Sequence, residues 1–149
     1  MSFKQKVYHR YLLLMNEKIL SLKKILEELS DSAKNETKST AGDKHETALA
    51  MLQIEQENTR KKYIDATEQK LQLEKIDIAQ FTGKIMKGSL IKTNHGFLFL
   101  SIASGKITID NLEIIALSPQ SPLGNKLLGL QKKDTVEMNR LQYIILNIE

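Results

Sequence analysis

Asp43 and Glu46 are the residues of this sequence whose type and spacing could act together. Two carboxylates three residues apart at a helix start lie on one side of the first turn. Such a pair can do either of two things, and can do both. Asp43 is a good N-cap and Glu46 falls at the third helical position, which is capping-box spacing. The same two side chains can also stand clear of the helix as exposed oxygen donors. His45 lies between them and is read as solvated rather than as a base or a ligand. The acids close the stretch Ser39-Thr40-Ala41-Gly42-Asp43-Lys44-His45-Glu46, in which Gly42 supplies freedom for a chain reversal.

The elements that must position the acids flank this stretch. Residues 4–36 read as one helix, uninterrupted by Gly or Pro. Tyr8, Leu12, Met15, Ile19, Leu22, Leu26 and Leu29 recur in alternating steps of four and three, which is a heptad seam. Leu13, Leu14 and Ile25 widen the stripe and are candidates to touch another domain. About 33 residues at 1.5 Å each span about 50 Å, more than a compact small domain uses. Residues 43–76 read as a return helix. Its seam is placed on Ala50, Ile54, Ile64, Leu71 and Ile78, with Glu57, Lys61, Glu68 and Lys75 at the alternate positions. A helix this polar is stabilised mainly by leaning on the first. The expected N-terminal domain is therefore a coiled-coil hairpin over residues 1–77, with an acidic tip at 39–46.

From about Ile78 the texture changes to glycines with β-branched and aromatic residues. Strands are expected at 89–93, 97–102, 106–109, 112–117, about 134–138 and 142–148, with Asn94-His95-Gly96 as a turn. Ser121-Pro122 opens a short helix, with Ser as N-cap and Pro at the first helical position. The fold class is α+β, with a small antiparallel β domain over 78–149.

Composition narrows the functions. The 149 residues contain no cysteine and no tryptophan. Disulfides, thiolate metal sites and cysteine nucleophiles are excluded, and base-stacking platforms are poorly supplied. Net charge is +4, with 14 Lys/Arg against 13 Asp/Glu in residues 1–77 and 8 against 5 in residues 78–149. That is too mild to argue for tight phosphate binding. Lys23-Lys24 and Arg60-Lys61-Lys62 read as solvated faces. No apolar run is long enough to span a bilayer and no signal-peptide pattern opens the chain, so the cytoplasm is the expected location.

Several separated motifs then agree. Gly42-Asp43-x-x-Glu46 at a helical turn resembles the tip of the bacterial transcript cleavage factors, the Gre family. Ser121-Pro122-Leu123-Gly124-Asn125-Lys126-Leu127-Leu128-Gly129 resembles that family's C-terminal Ser-Pro signature. Gly88-Ser89 and the ending Tyr143-Ile144-Ile145-Leu146-Asn147-Ile148 are similar to its other landmarks, in the right order. The resemblance implies an N-terminal antiparallel coiled coil and a C-terminal FKBP-like domain that docks on RNA polymerase beside its secondary channel. Gln120, Ser121 and Pro122 would be partner-binding residues there. It also implies that Asp43 and Glu46 help hold a Mg²⁺ shared with polymerase, so that polymerase, and not this chain, cleaves backtracked nascent RNA at its 3′ end. The chemistry suits two carboxylates: a two-metal site hydrolyses phosphodiesters, and Mg²⁺ takes hard oxygen ligands while keeping several waters. One Asp and one Glu complete a site begun by another protein. No membrane and no sequence-specific DNA partner is expected. The chain differs from the family at Thr47-Ala48-Leu49-Ala50, where many members have Asn-Ala-Glu-Tyr, and at Gln120, where many have Asp or Asn. These differences mark a divergent branch. They leave two alternatives open: a channel regulator that binds without cleaving, and a coiled-coil interaction module unrelated to polymerase.

Overall fold

The structure is a computed structural model that describes residues 1–37 and 43–149. The turn expected at Ser39–Gly42 lies outside the described residues. Two long helices come first, α1 (Phe3–Thr37) and α2 (Asp43–Glu74). Strands β1 (Leu90–Thr93), β2 (Gly96–Leu100), β3 (Gly105–Ile109) and β4 (Leu112–Leu117) follow, then the short α3 (Pro122–Leu127), β5 (Thr135–Met138) and β6 (Leu141–Ile148). The chain is thus α+β, and these bounds fall within two residues of those expected from composition and turn residues.

Among the described residues one six-stranded sheet forms, in the order β3-β4-β2-β1-β6-β5. Most neighbours are antiparallel, as expected, but β2 and β4 run parallel, with Phe97 beside Ile114 and Leu100 beside Leu117. The sheet is therefore mixed rather than purely antiparallel. The reason is β3, which pairs with β4 on its far side and leaves β4 to return alongside β2 in the same direction.

Period-two alternation gives the sheet two apolar faces. On one, Ile91, Leu98, Leu100, Leu117, Ile145 and Ile148 form a cluster with Ile85 and with Leu127 of α3. On the other, the first turns of α1 lie against the strands. Phe3 meets Phe97 with ring centroids 5.0 Å apart, and Tyr11 stacks on Phe99 at 5.9 Å. Val7, between them on the same helix face, is fully buried. The spacing Phe3, Val7, Tyr11 is a run of i, i+4 steps, which aligns side chains along one face. Each such burial contributes on the order of 1.5–3 kcal/mol.

Contacts divide the chain into two compact units, residues 1–12 with 71–149, and residues 13–70. The sheet unit thus includes the first turns of α1 and the last turn of α2, beyond the boundary expected at 77/78. Leu73 and Ile76 are buried in it. Gly88 explains part of this closure. Its φ is +100°, and a Cβ there would stand 2.6 Å from the Ile76 side chain. Leu13, Leu14 and Ile25, expected to widen the stripe toward another domain, are exposed instead. Val7 and Tyr11 take that role.

Tyr11 also carries a polar anchor. Its hydroxyl donates to Gly105 O at 2.7 Å, with Ile114 O at 3.2 Å as a second acceptor. Burial pushes its pKa up to about 12, although a backbone hydrogen bond at Ala116 opposes the shift. A raised folded-state pKa gives stability that is complete below the unfolded value near 10 and is lost as pH climbs through 12. Alkaline unfolding between roughly pH 10 and 12 is expected to cost about 2 kcal/mol through this residue. Tyr11→Phe should lose about 1–2 kcal/mol at neutral pH and flatten that alkaline decline. Chemical denaturation followed across the pH range checks both.

The second unit, residues 13–70, holds the rest of α1 and α2. On α1 the expected seam is the least exposed line: Met15 and Leu22 are buried, and Ile19, Leu26 and Leu29 are half-buried. On α2 the expected seam is wrong. Ala50, Ile54, Ile64 and Leu71 are exposed, while Leu49, Leu52, Gln56, Thr59, Tyr63 and Ala66 are covered, again in steps of three and four. The covered line accepts Gln56 and Thr59 and avoids charge as far as Ala66. The expected one would have placed Glu57, Lys61 and Glu68 inside, and burying unpaired charge costs far more than exposing two isoleucines.

Candidate functional site

The candidate residues fall at two places in the chain, one in each compact unit. In unit 13–70, α2 begins at Asp43, and Glu46 is exposed in its first turn. The side chain of Asp43 lies outside the described residues, as does the remainder of the tip stretch before it. His45 is half-buried rather than solvated. It begins the covered line that continues through Leu49 and Leu52, so it faces away from the exposed side that carries Glu46. Glu46 is thus the described side chain of this tip that is open to a partner. Among the described residues, no three His, Asp or Glu side chains come together as a metal cluster. The exposed Glu46 offers hard oxygen donors of the type Mg²⁺ takes, but two carboxylates fall short of an octahedral shell.

In the sheet unit, Gln120, Ser121 and Pro122 form a tightly tied corner between β4 and α3. Ser121 has extended φ and ψ of −66° and 156°, and its hydroxyl oxygen accepts from Gly124 N at 3.1 Å. The same hydroxyl donates to Ser118 O at 2.6 Å. Gln120 N donates to the Ser118 hydroxyl oxygen at 3.1 Å, and that hydroxyl donates in turn to Gln120 Oε1. Pro122 holds the first helical position, where its missing N–H costs nothing. The corner turns so sharply that a Cβ on Gly124 would lie 2.0 Å from Ser118 O. Gln120 and Pro122 are exposed on this corner, and Ser121 is half-buried. The arrangement is a hydrogen-bonded corner that presents one amide and one proline ring to solvent.

The basic pairs expected on solvated faces are exposed: Lys23, Lys24, Arg60, Lys61 and Lys62. Lys61 pairs with Glu57 at 3.5 Å along α2. Lys4 was not singled out in the sequence, yet it is only 7% exposed. Burial lowers its pKa, partly opposed by the charges of Glu149 and Asp77. A signal was present in its place one turn before Val7 and Tyr11 on the strand-facing side.

Comparison of the chain with protein-family models, with curated proteins and with solved structures gives no match.

Proposed function

We propose that this chain is a cytoplasmic factor of the bacterial RNA polymerase secondary channel that stimulates cleavage of backtracked nascent RNA. The observation that carries the reading is Glu46, exposed in the first turn of a 32-residue helix that follows within six residues of a 35-residue one. In this reading α1 and α2 form an antiparallel hairpin with residues 39–46 at its tip. Their stretches within unit 13–70 each extend roughly 40 Å. The sheet unit is the FKBP-like docking domain, and the Gln120-Ser121-Pro122 corner meets polymerase. The hydrogen bonds of Ser118 and Ser121 support that role, because a pre-set backbone costs little entropy on binding.

Asp43 and Glu46 together supply carboxylate oxygens to a Mg²⁺ held mainly by polymerase. When bound, the ion supplies Lewis-acid activation of water and neutralises charge on the phosphodiester. Asp43 directs its carboxylate to the ion. Glu46 is the further ligand, or it orients the attacking water. The nuclease remains that of polymerase.

One observation favours a second reading. Leu49 is part of the covered line of α2 and Ala50 is exposed and inert, so neither an acid nor an aromatic follows Glu46 on this turn. A factor built so could occupy the channel without promoting cleavage. Purified chain added to stalled, backtracked complexes with Mg²⁺ decides between them. Shortening of the RNA from its 3′ end supports the first reading. Binding with altered pausing and intact RNA supports the second. Failure of polymerase to bind at all would sink both and leave a coiled-coil module with another partner.

A further inference from the structure

The covered line of α2 leaves a second heptad line on the opposite side of the helix. Ile54, Glu57, Lys61, Ile64, Glu68 and Leu71 recur in alternating steps of three and four, and all are exposed. Ile54, Ile64 and Leu71 show 59%, 55% and 52% of their surface. β-Branched isoleucines repeated on the outer side of a long helix are costly to leave in water.

The order along this line is apolar, acidic, basic, apolar, and it complements its own reverse. If two copies of α2 run antiparallel with the two-fold axis level with Thr59, Ile54 of one faces Ile64 of the other, and Glu57 faces Lys61. Both matches then repeat by symmetry. Antiparallel helices with heptad lines pack in such layers, and charged positions choose the partner and its direction. In parallel register the same line would set Glu57 against Glu57 and Lys61 against Lys61. The outer side of α1 has no equivalent. Its exposed Leu13 and Leu20 alternate with Glu17, Lys24 and Glu27, and in the two-fold antiparallel registers of that line each leucine meets a charged residue. The Lys61–Glu57 pair at 3.5 Å already shows that these two side chains reach along the line. At an interface they exchange partners across the two-fold axis.

We propose that the outer face of α2 is an interface with a second copy of this chain, antiparallel and centred near Thr59. The proposal rests on this face alone and stands apart from the polymerase reading.

Sedimentation equilibrium of the full chain at low salt, from about 10 to 500 μM, should show the mass rising from 17.0 kDa toward twice that value. Lys61→Glu sets acid against acid and should weaken association about tenfold or more. Adding Glu57→Lys to it should restore self-association while abolishing pairing with the wild type. Because the chain has no cysteine, register can be read directly. A mixture of Ile54→Cys and Ile64→Cys chains should form a disulfide between copies under mild oxidation. Either variant alone should not, because like residues stand about 15 Å apart along the axis, beyond disulfide reach. A mass fixed at 17.0 kDa across the range, undiminished association of Lys61→Glu, or equal cross-linking of each variant alone would overturn the interface.

Discussion

Backtracked elongation complexes given the Glu46→Ala chain are expected to keep their RNA at full length under conditions where the wild-type chain shortens it. The loss of cleavage rate should be on the order of 100-fold or more, the scale seen when a group acting on the reacting centre is removed. Glu46→Gln keeps the size and loses the charge, so it should fail nearly as badly. Asp43→Ala should behave like Glu46→Ala. Exposure of Glu46 makes the experiment clean, because a substitution at an exposed position changes stability by only about 0.5 kcal/mol. Polymerase pull-down of the variants should match the wild type while cleavage does not, and thermal unfolding should show no more than the loss of a helix cap, about 1 kcal/mol. A Glu46→Ala chain that cleaves at the wild-type rate would remove the tip carboxylates from the mechanism.

Gly124→Ala should be the most damaging single-methyl substitution at the β4–α3 corner. The added Cβ would stand 2.0 Å from Ser118 O and 2.8 Å from the Ser121 hydroxyl oxygen. Neither is the loose end of a flexible side chain: one is backbone, and the other is fixed by two hydrogen bonds. The conformation of Gly124 is helical, so the need for glycine here is one of space. Relieving the clash means moving the corner and losing the Ser121 cap, at an expected cost of about 3–4 kcal/mol. For a domain of this size that lowers Tm by roughly 12–25 °C. Asn125→Ala, next door and exposed, should stay within about 0.5 kcal/mol. If Gln120 and Pro122 meet polymerase, Gly124→Ala should also reduce pull-down at temperatures where the chain is still folded.

Local chemistry was readable from the sequence, and choice of partner was not. Ser121-Pro122 announced α3 because a cap and a ring-fixed φ act on their own neighbours. Asn94-His95-Gly96 announced the β1–β2 turn in the same way. The parallel β2–β4 pairing left no mark on either strand, since a run such as Phe97-Leu98-Phe99-Leu100 is equally fit for either direction. On α2 two heptad lines compete on opposite sides of the helix, offset by alternately one and two residues. The line through Ile54 and Ile64 looked better because it holds large apolar side chains. The line through Leu49, Leu52, Tyr63 and Ala66 is covered because it brings no charge with it, and that preference needs the neighbouring surface to be seen. Tyr11 was missed for a related reason. The heptad line through Tyr8 and Leu12 accounted for the apolar residues around it, and the alignment of Phe3, Val7 and Tyr11 became meaningful only once a sheet lay beside them. At the candidate site, Glu46 was legible as an exposed acid, whereas the half-burial of His45 follows from its place at the head of the covered line.

The order in which the chain is made has a consequence for its assembly. Phe3, Val7 and Tyr11 are synthesised well before the strands they cover, which lie much later in the sequence. β6, last of the strands in chain order, sits between β1 and β5 and not at an edge. At translation speeds of up to about 20 residues per second, the first turns of α1 wait roughly seven seconds or more for β6 to be made. During that interval an apolar face stands bare on the nascent chain, available to chaperones or to a neighbouring nascent chain. Ribosome-bound intermediates halted before β6 should accordingly be protease-sensitive in the sheet unit, and emergence of β6 should close it in one cooperative step.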